Sequence, residues 1–179
     1  TFEEIISQEE RYTAHKISFL QDGKKVTGQI NIPINSTLKV DQKIPTVLMI
    51  RGYAEKEGYK TGNGTRKVAA YFASQGFLTI APDFLGYGTS NPESEDSLEA
   101  RFEKYVTILQ LLASLENLKQ ADLAKLSIWA HSNGGHIALA TLEITQKNIP
   151  TTLWAPVTKP FPASIMVYMD EEEDKGKLL

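Results

Sequence analysis

The 179-residue chain predicts an α/β fold with a mainly parallel sheet, on three observations. Short unbroken apolar runs alternate with segments whose apolar residues recur every three or four positions. Two segments of alternating apolar and polar residues come before them. One apolar run turns straight into a helix through a single serine. Continuous apolar runs are typical of strands covered on both faces, and strands alternating with helices imply parallel pairing through right-handed crossovers.

Each element has its own signal. Residues 1–11 are polar and acidic and are expected to form a short helix or a surface arm. Residues 12–20 and 25–32 alternate around Gln21-Asp22-Gly23, which reads as an antiparallel hairpin with a glycine turn. Residues 46–50, Thr-Val-Leu-Met-Ile, form an apolar strand between Pro45 and Gly52, and a Gly- and Tyr-rich loop follows to Gly64. Val68, Tyr71 and Phe72 have helical spacing, and Gly76 stops that helix. Residues 77–81 are the next buried strand, closed by Pro82-Asp83, and 84–97 are loop. The plainest helix runs from Asp96 to Asn117, with Leu98, Phe102, Tyr105, Val106, Leu109 and Leu112 on one stripe and Asp96…Glu99 as a capping box. A strand at 126–130, a helix after Ser132 and a short strand at 151–155 complete the series. Trp129 and Trp154, both in strands, are expected in the core. The order is a hairpin followed by β-α-β-α-β-α-β.

Composition narrows the function classes. The apolar share of 41%, the charged share of 23% and the net charge of −3 are those of a globular domain. No basic stripe offers a footprint for nucleic acid, and no apolar run approaches the ~20 residues that span a bilayer. With no cysteine, thiolate metal sites, disulfides and a Cys nucleophile are excluded, while the compartment stays open between cytoplasm and export after leader removal. Neither a metal nor a cofactor is expected. Gly62-Asn63-Gly64 lacks the Gly-Lys-Ser/Thr ending of a phosphate loop, and the acidic run 171–174 reads as a solvated stretch.

The stretch 126–141, LSIWAHSNGGHIALAT, carries the chemistry. A serine on a cramped strand-to-helix turn needs small neighbours two before and two after, here Ala130 and Gly134, with Gly135 as further relief. The amide of Asn133 then lies at a helix N-terminus, suited to a developing oxyanion. The usual G-x-S-x-G begins with Gly where this chain has Ala130.

Three motifs together resemble the α/β-hydrolase superfamily, most closely the branch of prolyl-oligopeptidase-type peptidases and related esterases. Ile50-Arg51-Gly52-Tyr53 is similar to the turn after the third strand of that fold. Ala81-Pro82-Asp83-Phe84-Leu85-Gly86-Tyr87-Gly88 is similar to the segment after the fourth. Ala130-His131-Ser132-Asn133-Gly134-Gly135 is similar to the nucleophile elbow after the fifth. The resemblance covers roughly residues 12–156 and implies an α/β-hydrolase fold lacking its C-terminal strands, with helices on both faces of the sheet. It implies Ser132 as nucleophile, the N–H groups of Tyr53 and Asn133 as oxyanion donors, and a small ester or peptide as substrate. Tyr59 and Tyr87, in loops at the same edge, are expected to line the pocket.

The resemblance also calls for an acid and then a histidine after Ser132. The histidines are His15, His131 and His136, and none follows His136. His131 is expected to diverge from Ser132 Oγ, and His136 to point along its helix. Asp83 is expected to fix its loop, and the next carboxylate after 151–155 is Asp170. The expectation is therefore an α/β-hydrolase part at 1–158, a lid or linker beginning at 159–179, and a companion segment of the same protein carrying Asp and His. The reading from another class is a non-catalytic binding module of the same fold.

Overall fold

A computed structural model describes residues 1–34, 42–160 and 163. Its single seven-stranded sheet has the order β1-β2-β3-β5-β4-β6-β7, with β1 Phe2–Gln8, β2 Tyr12–Gln21, β3 Lys24–Pro33, β4 Ile44–Ile50, β5 Leu78–Pro82, β6 Ala121–His131 and β7 Thr151–Trp154. The first three strands are antiparallel, and β3 joins β5 antiparallel. Strands β5, β4, β6 and β7 are parallel. The sheet is thus mixed, with a parallel half. Among the described residues it ends at β7, and the segment expected to begin a lid lies almost wholly outside them.

The β2–β3 hairpin closes through Asp22-Gly23, both at positive φ (49° and 81°), with Gln21 opposite Lys24. That two-residue loop matches the twist of its strands. Residues 1–11 are not a helix: the surface segment Phe2–Gln8 pairs with β2 as a strand at the sheet edge, with two register irregularities. Its residues are nearly all exposed on both faces, so no periodic burial betrays it in the sequence.

Helices cover both faces. α1 (Arg66–Ser74) lies on one side over Val47, Met49, Ala81 and Trp129. Its buried row is Ala69 and Ala73, flanked by the half-buried Val68 and Phe72, whereas Tyr71 is exposed. α2 (Ser97–Ser114, continued by a 3-10 turn to Asn117) and α3 (Asn133–Thr145) lie on the other side and share the larger core with Leu48, Ile50, Ile80 and Ile128.

The Asp96 carboxylate accepts the Glu99 amide at 2.8 Å, as a cap should. The Glu99 carboxylate binds the Ser94 hydroxyl, so the box is not reciprocal. α2 is also rolled from the expected stripe. Leu98 and Phe102 are exposed, and Tyr105, Thr107, Ile108, Leu111 and Leu112 point inward. A buried polar pair accounts for the roll: the Thr107 hydroxyl donates to the Gln21 side chain of β2, which itself donates to the Glu103 carbonyl at 3.0 Å. A buried amide left unpaired costs more than the apolar contact that a different roll gains.

Candidate active site

The C-terminal ends of β4, β5 and β6 lie side by side and deliver Arg51, Asp83 and Ser132 to one edge of the sheet. In open α/β sheets that edge is where ligands bind.

Ser132 joins β6 to α3 at φ 51°, ψ −122°, a backbone region costly for any residue but glycine. The strain is held by main-chain bonds. The Ser132 amide donates to the Trp154 carbonyl at 3.1 Å, and its own carbonyl accepts the amides of Gly135 and Val157, each at 2.9 Å. Its hydroxyl caps no amide of α3. The side chain is half-buried.

Two glycines bring the strand ends together. A Cβ on Gly134 would overlap the Ile50 carbonyl oxygen and lie 2.5 Å from that of Arg51. A Cβ on Gly52 would lie 2.9 Å from Ser132 Cβ. The first turn of α3 therefore rests on the end of β4, and the loop after β4 rests on Ser132. Ala130, the departure from the usual pattern, is fully buried with its methyl accommodated in the core.

A cleft of about 820 Å³ opens here, lined among others by Tyr53, Tyr87, Arg101, Lys104, Ser132 and Asn133. Tyr53, Ser132 and Asn133 thus share one opening. The Tyr53 ring is exposed, and the Asn133 side-chain carbonyl accepts from Arg101 Nη1 at 3.3 Å. The Tyr87 ring is buried at the cleft wall, and its hydroxyl donates to the Ala54 carbonyl at 3.0 Å. Tyr59 turns inward instead: its hydroxyl donates to Asp83 Oδ1 at 2.9 Å and its ring meets Tyr87 edge-on. It is not among the residues lining the cleft. Burial, and then the Asp83 charge, push the Tyr59 hydroxyl above its ordinary value and keep it a donor.

Asp83 is fully buried and fixes its loop, taking hydrogen bonds from Thr27, Tyr59, Thr61 and the Gly62 amide. Beside it lies a group that the sequence reading did not single out. The Arg51 guanidinium is buried among the rings of Tyr87, Tyr59 and Phe84, 4.0, 5.0 and 5.1 Å from their centroids. It donates to the carbonyls of Gly52 and Asp83, each at 2.8 Å. The available signal was a lone arginine between an apolar strand and a Gly- and Tyr-rich loop.

The histidines are elsewhere engaged. His131 packs with its ring centroid 4.6 Å from that of Trp154, on the same stack as Trp129. His136 is buried edge-on to Tyr105, and burial, then the Arg101 charge, hold it below its ordinary value. His15 meets Phe2 on the first hairpin. Trp129 is in the core, but Trp154 is 57% exposed, contrary to expectation, because β7 is the last strand of the sheet among the described residues. Among the described residues no three His, Cys, Asp or Glu side chains converge as metal ligands, and no helix is long and apolar enough to cross a membrane.

Residues 45–151, more than half of the chain, match the family model described as the alpha/beta hydrolase fold. The chain belongs to the α/β-hydrolase family. Solved structures agree on the fold. Est1E from Butyrivibrio proteoclasticus, determined with ferulic acid bound, is 18% identical over 87% of this chain and 56% of its own, at a TM-score of 0.63. A dipeptidyl aminopeptidase IV-like protein from Bacteroides ovatus is 18% identical over 84% and 22%, at 0.66. A cold-adapted esterase from an Arctic intertidal metagenomic library is 17% identical over 82% and 62%, at 0.60. Like Est1E, the next two structures in that comparison are covered over little more than half their length, 55% each. A search of the curated proteins returns no match.

Proposed function

We propose that this α/β-hydrolase chain carries the nucleophile and oxyanion donors of a serine hydrolase that cleaves an ester or short-peptide acyl bond. The observation that carries the reading is Ser132 itself. It is a non-glycine residue at positive φ between β6 and α3, its hydroxyl not spent on the helix, beside a cleft shared with Tyr53 and Asn133. Strain of this kind persists where the surroundings over-determine it, often at reactive groups.

Ser132 Oγ attacks the acyl carbon and gives its proton to a histidine. The carbonyl electrons move onto oxygen, and the N–H groups of Tyr53 and Asn133 stabilise that oxyanion. Collapse expels the alcohol or amine, which takes the proton and leaves an acyl-enzyme. Water, activated by the same histidine, then releases the acid. In this reading the histidine and its orienting Asp come from a companion segment of the same protein, and the 159–179 stretch leads toward it as a lid or linker. The esterase and peptidase-like names among the structural neighbours fit either acyl bond.

A second reading, a non-catalytic binding module, is favoured by one observation: among the described residues no histidine or carboxylate hydrogen-bonds Ser132. A fluorophosphonate probe separates the two. Labelling of the intact protein at Ser132, located by peptide mass spectrometry and abolished in Ser132→Ala, supports the hydrolase. An unlabelled Ser132 in the intact assembly leaves the binding module.

A further inference from the structure

We infer that Arg51 is a positioning residue for the oxyanion site: its guanidinium locks the Gly52–Tyr53 peptide in the orientation that turns the Tyr53 N–H toward Ser132. This deepens the proposed function and rests on Ser132 being the nucleophile.

The need for a lock follows from Gly52. Only glycine fits there, because a Cβ would lie 2.9 Å from Ser132 Cβ and 3.3 Å from the His131 carbonyl oxygen. Glycine also lets the next peptide unit rotate at little cost. Were the Gly52–Tyr53 unit to turn over, its carbonyl oxygen would face the cleft and repel an oxyanion. In a planar trans peptide the C=O and the N–H point in opposite directions. Arg51 Nη1 holds the Gly52 oxygen at 2.8 Å on the buried side. The Tyr53 N–H on the same unit is thereby directed away from the guanidinium, toward the opening that Tyr53, Ser132 and Asn133 share.

The guanidinium is itself immobilised. Nη2 bonds the Asp83 carbonyl at 2.8 Å, just before Phe84, a bulky residue at φ 74°. The rings of Tyr59, Phe84 and Tyr87 enclose it, and no carboxylate pairs with it among the described residues. A charge 5% exposed without an ion pair is a costly filler for an aromatic box, since an apolar side chain packs there without desolvation. What an apolar side chain lacks is the pair of donors to the two carbonyls that follow β4 and β5.

The test uses the intact protein, its Arg51→Met and Arg51→Lys variants, and the second-order rate of fluorophosphonate labelling at Ser132. Phosphonylation, like acylation, develops charge on an oxygen in the oxyanion site. Losing one oxyanion donor slows catalysis about 10²- to 10³-fold, so loosening one by rotation slows labelling about 10- to 100-fold. Arg51→Met is expected in that range and Arg51→Lys, which keeps one donor, between it and wild type, with both variants folded by thermal melting. Folded variants labelled within threefold of wild type would overturn the positioning role and leave the hydrolase reading standing. Wild-type protein unlabelled at Ser132 would overturn both. If neither variant folds, wild-type NMR decides. On phosphonylation the Tyr53 amide proton should move downfield while the Gly52 carbonyl carbon keeps its shift. An unmoved Tyr53 amide overturns the inference.

Discussion

Asp83 takes four hydrogen bonds at zero exposure, so each donor supports a charge that water cannot reach. The Tyr59 hydroxyl is one of these donors. Tyr59→Phe keeps the ring over Arg51 and removes the bond to Asp83 together with the hydroxyl's contact with the Arg51 side chain. Hydrogen bonds to buried charged groups contribute about 1.5–3 kcal/mol, and a loss of that size is expected in the unfolding free energy from urea denaturation. Ser132 labelling should fall far less than in Arg51→Met, because the Arg51 bonds to the Gly52 and Asp83 carbonyls remain. A stability unchanged within about 0.5 kcal/mol, the usual range for neutral surface changes, would mean that Asp83 does not rely on it. His136 gives a second residue-scale expectation. Its folded value is held below the ordinary 6.5 by burial first and Arg101 second. Between the lowered value and 6.5 the unfolded chain binds the extra proton, so stability rises with pH in that window. The contribution of neutral His136 is complete above about pH 6.5 and is lost as pH falls below it. Urea midpoints from pH 7.5 to 4.5 should drop on the acid side, and His136→Gln should flatten that part of the curve. Identical slopes in both proteins would assign the acid sensitivity elsewhere.

At the scale of elements, the seat of α3 on β4 is the contact that the candidate site depends on. The atoms nearest a Cβ on Gly134 are main-chain atoms of Ile50 and Arg51, and these cannot swing aside as a side chain does. Gly134→Ala should force the helix off the strand end, costing about 1–3 kcal/mol as overpacking does. It should also abolish Ser132 labelling, because the strained turn and the Asn133 amide move with the helix. A folded Gly134→Ala protein labelled at the wild-type rate would show that the turn does not need this seat. The same contact explains what was legible beforehand. Gly134 announces a close approach through its position in a strand–Ser–helix run, and apolar runs such as 46–50 announce buried strands, because each signal is local. β1 was not legible, since its residues gain no burial and are ordered only by pairing with β2. The roll of α2 was hidden for a related reason, being set by Gln21, 86 positions from Thr107. Arg51 stood in plain view inside a recognised motif. Its meaning comes from Tyr59, Asp83, Phe84 and Tyr87, which only the folded loops bring around it.

For the whole molecule, the two faces of the sheet are unequally covered. α2 and α3 close one face out to Ile128, whereas α1 closes the other over Val47, Met49, Ala81 and Trp129. Beyond α1 the stack continues through His131 to Trp154, which is 57% exposed on a four-residue edge strand. An edge that no other described strand pairs, with an exposed tryptophan, favours association. The companion segment proposed for the acid and histidine is expected on this side, where β7 is the last strand of the sheet among the described residues. Trp154 is therefore a reporter for it. In the 179-residue chain alone, iodide should quench Trp154, with Trp129 at 6% exposure as the protected reference. Comparison with a Trp154→Phe variant isolates its signal. In the protein with the companion segment in place, the quenching constant should fall toward that of Trp129, and ester hydrolysis should appear together with the protection. Hydrolysis restored while Trp154 stays open to iodide would put the histidine on a segment that reaches the cleft without crossing the β7 edge.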